Sequence, residues 1–307
     1  MPFSRRKFIK GAGLVSSSLA LHQLESFSSP IRYEDQRPGF ELKIMATNWG
    51  FAGDTDSFCK KAKKEGYDGI EVWVPGEEKV RTELKQIVEA NGLLLGLLAG
   101  GSDSAFQKHE EQFSAAIKAA TAMKPVYINC HSGRDYFSFD QNKQLVDITT
   151  KANTETGVPI YHETHRSRAM FAAHITRNFA EKIKELRLTF DVSHWCNVHE
   201  SLLADQAETM DIVLPRVEHI HARIGHPEGP QVNDPRAPEW LNAVNAHFSW
   251  WDKVIERKKK EGKLMTILTE FGPPDYMPTL PYTRQPLGAQ WEINAYMMHL
   301  LRKRYAS

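Results

Sequence analysis

The hydrophobic and polar positions of this chain repeat as short apolar runs separated by about 20 residues of helical pattern. Each run is rich in Ile, Val, Leu, Thr or Phe and ends at Gly, Pro or a polar cluster, which is typical of a strand. The pattern predicts strands at 42–49, 69–74, 93–99, 125–131, 158–163, 187–192, 217–223 and 264–270. Between them, apolar residues fall three to four positions apart, as at Phe113, Ile117 and Ala120, which indicates amphipathic helices.

Eight strands that alternate with helices predict an α/β protein, a single (β/α)8 TIM barrel. The alternation favours a parallel sheet, and about 250 residues is the usual size of such a barrel. We therefore assign residues 31–307 to one barrel domain. In this fold the carboxyl ends of the strands meet at one mouth, where polar residues from different strands become neighbours.

Four of the predicted strands end in a polar residue that is able to bind metal. These residues are Glu163, Asp191, His221 and Glu270. A single carboxylate at a strand end is more often a solvated loop residue or the N-cap of the next helix. Four such residues at matching positions in successive units instead predict one divalent-metal site.

The predicted site is rich in hard oxygen ligands, since it has three carboxylates and one imidazole. This composition predicts one divalent metal as the cofactor and favours Mn²⁺ over Mg²⁺, Co²⁺ or Zn²⁺. A structural zinc site is not expected, because no thiolate belongs to the set. A metal held in this way can stabilise the enediolate that forms when a proton leaves the carbon next to a carbonyl.

The same residues resemble a known family. Asp191 is followed three residues later by His194, and His221 is the second His of a His-Ile-His run. With Glu270 before Phe-Gly-Pro-Pro, this set is similar to the xylose isomerase-like barrels, and most similar to the sugar phosphate isomerase/epimerase group. The resemblance implies that the four strand-end residues bind the metal, that Glu163 and Glu270 are catalytic, and that His194 contacts a substrate oxygen.

Other polar and aromatic residues are predicted at the same mouth. They follow strand ends or flank the metal residues: Trp49, Trp73, His131, His165, Arg223 and His226. Aromatic faces beside hydroxyl-binding groups suit a sugar ring, so we predict that these residues bind substrate together with His194. Trp195 is a further candidate for the apolar wall, and the long loop 272–290 is expected to cover the site. The epimerases of this group carry an Arg six residues after the metal His, where this chain has Pro227, which leaves the substrate class open.

The predicted function is that of a metal-dependent sugar isomerase or epimerase, which removes a proton next to a carbonyl. An alternative with the same first step is a lyase or hydratase that performs β-elimination on 3-keto-glycosides. A non-catalytic sugar-binding barrel is a third interpretation, although it has no need of two glutamates at one metal. An apurinic endonuclease is not expected, because the third strand ends at 98–101 (LAGG) without the His that its three-metal cluster needs.

The first 30 residues form a separate unit. The pair Arg5-Arg6, followed by Phe8 and an apolar stretch from Gly11 to Leu21, looks like a twin-arginine export signal. We assign residues 1–30 to this signal and its linker, and predict a periplasmic or otherwise exported enzyme. The apolar stretch is too short and too interrupted to be a stable membrane span, unless an uncleaved signal acts as an anchor.

Composition adds little to this picture. The net charge is +1, from 39 basic and 38 acidic residues, so no general field attracts nucleic acid. The expected partner is a small carbohydrate substrate, and the outer helices of a barrel also allow a homo-oligomer. Three cysteines are too few for a disulfide framework in a chain of this size.

Overall fold

The computed structural model describes residues 39–306, and this part of the chain contains eight β-strands. They are β1 (Glu41–Thr47), β2 (Gly69–Trp73), β3 (Leu94–Gly100), β4 (Tyr127–His131), β5 (Ile160–Glu163), β6 (Leu188–Phe190), β7 (Val217–Ala222) and β8 (Leu264–Thr269). Each coincides with one of the eight predicted strands, and no boundary differs by more than two residues. The predicted export signal at 1–30 lies outside the described residues.

The strands form a closed parallel barrel in chain order, in which β8 pairs with β1. The register sets Glu163 of β5 beside Thr189 of β6, and His221 of β7 beside Leu268 of β8. The carboxyl ends of neighbouring strands are therefore level at the mouth. The prediction of a single (β/α)8 TIM barrel is confirmed.

Helices surround the barrel and link its strands. Those of the described residues are α1 (Thr55–Glu65), α2 (Glu78–Ala90), α3 (Phe106–Ala122), α4 (Phe139–Thr156), α5 (Ala173–Lys182), α6 (Val192–Val198), α7 (Ala207–Val213), α8 (Leu241–Glu261) and α9 (Gln290–Tyr305). Local sequence sets several of their ends. Ser138 and Gln141 form a capping box at the start of α4, and α4 and α8 end at Gly157 and Gly262 in the left-handed conformation.

The apolar core has two parts. The larger one fills the space between the strands and the outer helices, and a smaller cluster of Met45, Tyr127 and Leu268 closes the interior of the barrel. Tyr127 fits there because Gly96 has no side chain, since a Cβ at Gly96 would lie 2.6 Å from the Tyr127 ring. The packed interior leaves the polar strand ends at the mouth as the place for chemistry.

Two further features concern the cysteines and the helices. Cys59, Cys130 and Cys196 are buried free thiols. Between residues 39 and 306, no helix has the length and the apolar character that a membrane crossing needs.

Candidate active site

The four predicted metal residues meet at the barrel mouth. Glu163 is the last residue of β5, and His221 lies near the end of β7. Asp191 and Glu270 directly follow β6 and β8. Each residue offers one ligand atom, and these four atoms lie within 4.8 Å of one another. The fold therefore brings together the residues that were predicted as one set.

The two carboxylate oxygens of Glu163 face different neighbours. Asn129 donates from Nδ2 to Oε2 at 2.6 Å, and His131 Nε2 lies 3.0 Å from the same oxygen. Oε1 is buried without a hydrogen-bond partner among the described residues, 3.7 Å from His221 Nδ1. Burial opposes ionisation, yet the imidazoles of His131 and His221 hold the pKa of Glu163 well below its ordinary value. Glu163 is thus an ionised carboxylate with one oxygen free.

His221 lies between carboxylates on both sides of its ring. Its Nδ1 is 2.9 Å from Glu270 Oε2, and its Nε2 is 3.3 Å from Glu71 Oε1. Burial opposes protonation, but the charges of Glu270, Glu163 and Glu71 raise the pKa of His221 well above its ordinary value. The Nδ1 atom faces the other three predicted ligands, while Nε2 faces the barrel interior.

Asp191 caps a helix and also belongs to the site. Its Oδ1 accepts a hydrogen bond from the backbone N–H of Ser193 at 3.1 Å, and this bond caps the N-terminus of α6. Its Oδ2 forms a close ion pair with Arg223 and lies 3.4 Å from His194 Nε2. Burial raises the pKa of Asp191 to about 7; Arg223 opposes this shift, and the charge of Glu270 adds to it. Crowding by neighbouring carboxylates is one cause of that shift.

The donor set fits a divalent cation. Three carboxylates converge on this volume, from Glu163, Asp191 and Glu270, and Arg223 is the guanidinium among them. Concentrated negative charge in a buried site is unfavourable unless a cation offsets it. The unpartnered Oε1 of Glu163 also leaves coordinating capacity that protein groups do not use. The residues thus have the charge and the geometry that a metal ion needs.

A cavity of about 210 Å³ adjoins these residues. Its lining consists of Thr47, Asn48, Trp49, Glu71, Val72, Trp73, Leu98, His131, His165, Arg223, Glu270 and Tyr276. Trp49 and Trp73 are 37% and 52% exposed, so they form a rim that solvent reaches. The cavity therefore has a charged floor and an aromatic rim.

The structure places the predicted substrate residues in three different settings. Five of them line the cavity, namely Trp49, Trp73, His131, His165 and Arg223. His194 lies just behind the lining, with its ring centroid 3.9 Å from that of His165 and its Nε2 2.9 Å from Arg223 Nη2. His226 is outside the lining, where its ring packs on Trp240 at 4.7 Å. The roles of all seven residues stay predictions.

Trp195 does not form part of the cavity wall. It is completely buried, and its indole N–H donates to the carbonyl of Met170 at 2.9 Å. The physical reason is that Asp191 caps α6, which begins at Val192, so the helix turns Trp195 into the layer between the barrel and the helices. The expectation that Trp195 belongs to the apolar wall of the site is therefore wrong.

The loop between β8 and α9 reaches the cavity, as expected from its length. Tyr276 in this loop lines the cavity and packs edge-on against Trp49, with ring centroids 4.8 Å apart. The guanidinium of Arg223 lies 4.8 Å from the centroid of the Tyr276 ring. The loop thus covers one side of the site.

Sequence reasoning did not single out Asn129, which contacts the site directly. Asn129 and His131 are two residues apart on β4, so their side chains point to the same side of the strand. Asn129 Nδ2 also lies 3.2 Å from His221 Nε2, in addition to its bond to Glu163. The alternation along β4 was the signal that could have identified it.

Comparison with known proteins identifies the family of this fold. The family model described as xylose isomerase-like TIM barrel matches residues 59–234, which is more than half of the chain. No curated protein matches the sequence.

Solved structures with the same fold include enzymes that act on sugars and related compounds. The 3-keto-D-glucoside 4-epimerase of E. coli is similar with a TM-score of 0.57 and 13% identity, over 85% of this chain and 99% of that one. A D-tagatose 3-epimerase-like protein has a TM-score of 0.59 and 16% identity, over 86% and 97% of the two chains. The probable 3-DHS dehydratase of Bacillus anthracis has a TM-score of 0.51 and 15% identity, over 84% and 98%. At these identities the likeness shows the fold.

Proposed function

This chain belongs to the xylose isomerase-like TIM barrel family, and from that premise we propose that it is a divalent-metal-dependent sugar isomerase or epimerase. The enzyme removes a proton from the carbon next to a carbonyl and returns it to form the isomeric sugar. The solved structures named above include two epimerases or epimerase-like proteins, which supports this reaction class.

The observation that carries the proposal is the approach of two glutamates to one cluster of candidate metal ligands. Glu163 ends β5 and Glu270 follows β8, three strands further around the barrel. Their carboxylates therefore reach the centre from different directions. A substrate carbon between them can lose its proton to one ionised carboxylate, while the other, in its protonated form, delivers a different proton; exchange with solvent then returns both carboxyl groups to their starting states.

The metal would be held by Glu163, Asp191, His221 and Glu270. A bound divalent ion supplies Lewis-acid polarisation of the substrate carbonyl, and this oxygen-rich set favours Mn²⁺. Neighbouring side chains position the Glu163 carboxylate and keep it charged. Asn129 and His131 fix the Glu163 carboxylate, which stays ionised and is thus able to accept a proton.

Cavity residues would orient the sugar. Arg223 and His165 present cationic and imidazole groups to the cavity, where they can bind hydroxyl or carbonyl oxygens. Trp49 and Trp73 offer flat apolar faces that suit the C–H face of a sugar ring. Tyr276 narrows the opening from the side of the long loop.

A second candidate is a lyase that performs β-elimination on 3-keto-glycosides. Trp49 and Trp73 form an exposed rim beyond the carboxylates, which gives an aglycone an apolar surface to contact. A dehydratase shares the fold, and the twin-arginine pattern at Arg5-Arg6 supports an exported enzyme that meets glycosides outside the cytoplasm. Both candidates begin with the same proton removal.

The experiment that tests the proposal is NMR analysis of products formed in D₂O by the Mg²⁺-loaded protein. The panel contains free ketoses, aldoses and 3-keto-glycosides. We expect deuterium at the carbon next to the carbonyl together with a change of isomer; release of an aglycone with an unsaturated keto sugar would select the lyase instead.

Matched variants test whether residues of this site catalyse the deuterium exchange. Glu163→Gln and Glu270→Gln should each lower the exchange rate by at least about 100-fold, the range of general acid–base catalysis. Glu111→Gln, at an exposed position of α3, should leave the rate unchanged. Exchange that persists in both active-site variants would contradict the proposal.

A further inference from the structure

Two arginines lie on adjacent loops beyond the candidate active site. Arg134 belongs to the loop between β4 and α4, and Arg168 belongs to the loop between β5 and α5. The backbone N–H of Ala169 donates to the carbonyl of Ser132 at 2.8 Å, so a hydrogen bond joins the two loops next to the arginines. Both loops leave the carboxyl ends of their strands, which places the arginines on the side of the barrel that carries the mouth. Neither side chain lines the cavity described above.

The guanidinium groups of these arginines lack acceptors. Arg168 is half-buried, and its Nε and Nη1 atoms are buried without a hydrogen-bond partner among the described residues. Arg134 donates from Nη2 to the carbonyl of Ser102, but its Nε is likewise buried and unpartnered within residues 39–306. Burial lowers the pKa of Arg168, and the charge of Arg134 adds to this shift. Two positive charges therefore lie near each other, with buried N–H groups that no acceptor satisfies.

His109 of α3 completes this cluster. It is fully buried, and its Nδ1 donates to the carbonyl oxygen of Asp103 at 3.1 Å. Its Nε2 therefore carries the lone pair, and this atom has no hydrogen-bond partner in the described part of the chain. Burial lowers the pKa of His109; the carbonyl of Asp103 opposes this shift, while the charges of Arg134 and Arg168 add to it. The imidazole is thus neutral and lies within electrostatic reach of both arginines.

Local packing fixes the cluster. Asn142 of α4 donates from Nδ2 to the carbonyl of Arg134 at 2.9 Å. The turn before Arg134 needs Gly133, which has a φ of +61° and would place a Cβ 1.9 Å from Asn142 Oδ1. The ring of Phe137 packs edge-on against His109, with ring centroids 5.3 Å apart. The positions of Arg134 and His109 are therefore set by the fold before any ligand binds.

The described residues do not supply the missing acceptors. Asp135 and Glu163 act on Arg168 through their charges, yet neither forms an ion pair or a hydrogen bond with it. Buried N–H groups without acceptors and buried charges without partners are both destabilising. An oxyanion removes both penalties, because it accepts several hydrogen bonds and offsets the positive charge.

We propose that Arg134, Arg168 and His109 form a binding site for the anionic group of an acidic sugar, a carboxylate or a phosphate. The planar fork of a guanidinium matches two oxygens of such a group. The lone pair of His109 Nε2 can accept a hydroxyl O–H of the same ligand. The proposal rests on the proposed function for the sugar part of the ligand alone, since anion binding needs neither the metal nor the proton transfer.

Phosphate binding tests the site without the reaction. Inorganic phosphate is titrated into the chelator-treated protein by isothermal calorimetry, so that no metal ion competes for the anion. We expect one phosphate per chain, with an affinity at least about 10-fold lower in Arg134→Gln and in Arg168→Gln, as for the loss of a charged hydrogen bond. Arg187→Gln, at an exposed position before β6 on the opposite face of the barrel, should bind phosphate as the native protein does. Circular dichroism checks that every variant is folded.

Deuterium exchange shows whether the substrate carries the anion. Uronates and sugar phosphates are compared with the parent neutral sugars in D₂O, with the metal-loaded protein. We expect a KM at least about 10-fold lower for the acidic sugars. Arg168→Gln should raise the KM of the acidic sugars and leave kcat unchanged, because it removes binding that is equal in the ground state and the transition state.

The outcomes separate the anion site from the reaction. No phosphate binding by the native protein, or binding that both arginine variants retain, would overturn the site. Loss of phosphate binding in the variants, together with equal KM values for acidic and neutral sugars, would make a free anion the ligand and overturn the assignment to the substrate. Absence of exchange with every sugar would contradict the proposed function, and phosphate binding would still decide on the anion site.

Discussion

Glu71 lies beneath the proposed metal centre and holds the ring of His221 in place. Its Oε1 lies 3.3 Å from His221 Nε2, and its Oε2 lies 3.3 Å from His219 Nε2. His219 is fixed in turn by its Nδ1, which is 2.7 Å from Thr266 Oγ1. A carboxylate behind a metal-binding imidazole sets the ring position and makes the other nitrogen a better ligand.

This arrangement predicts the effect of Glu71→Gln. The amide keeps the size of the side chain but removes the charge that faces His221 Nε2. We expect Mn²⁺ affinity to fall by about 10- to 100-fold, the range for residues that support a metal ligand. Isothermal titration calorimetry gives the dissociation constant, and an affinity equal to that of the native protein would show that Glu71 does not position His221.

Individual residues of the site differ in whether the sequence alone identifies them. Glu163 and Glu270 could be predicted because they end apolar runs at matching positions of repeated units. Asn129 was missed: its alternation with His131 along β4 is only a weak signal, since a lone Asn in a strand has many structural uses, and the contact with Glu163 is visible only in the fold. Asp191 was ambiguous between a helix cap and a ligand, and the structure shows that its two oxygens divide between the cap and the site.

At the scale of elements, α8 holds the loop that follows β7. His247 of α8 accepts a hydrogen bond at Nε2 from the backbone N–H of Gly225 at 3.1 Å, and its Nδ1 donates to the carbonyl of Ala243 at 2.8 Å. The loop also packs tightly on α6, because a Cβ at Gly225 would lie 2.6 Å from the carbonyl oxygen of Ser193. These contacts fix the loop that follows Arg223.

The His247 contact makes stability depend on pH. Burial lowers the pKa of His247 from 6.5 to about 4, so between these values the unfolded chain binds more protons than the folded chain. The contribution of His247 to the free energy of unfolding is fully present above pH 6.5 and is lost as the pH falls toward 4. The loss is about 2 kcal/mol at pH 5.

Urea unfolding at pH 7.5 and pH 5 measures this effect. The free energy of unfolding of the native protein should fall between the two values, and His247→Gln should show a drop smaller by about 2 kcal/mol. The variant is also expected to be less stable at pH 7.5, because it loses the fixed imidazole. The same drop in both proteins would contradict the neutral state of His247.

Elements were predicted more accurately than contacts between them. The eight strands follow from apolar runs that end in turn residues, and these signals are local. The loop before α9 was expected to cover the site from its length alone, but Tyr276 could be identified as its contact residue only from the fold. The predicted position of Trp195 was wrong because the direction of its side chain depends on the residue at which α6 begins.

At the scale of the whole molecule, the site exists because the barrel closes. β5, β6, β7 and β8 are adjacent, and their ends bring together residues that lie more than a hundred positions apart in the chain, as Glu163 and Glu270 do. The sequence predicts this convergence once the eight units are counted. It does not predict the pairing of Arg223 with Asp191, which depends on side-chain packing inside the mouth.

The central claim is that four strand ends form one divalent-metal site, and Mn²⁺ titration of the chelator-treated protein by calorimetry tests it most directly. The variants are Glu163→Gln, Asp191→Asn, His221→Gln and Glu270→Gln, with Glu111→Gln as the exposed control. We predict tight binding to the native protein and the control, and a loss of more than about 100-fold in each of the four variants, beyond the range for supporting residues. Absence of Mn²⁺ binding by the native protein, or native affinity in the four variants, would contradict the account.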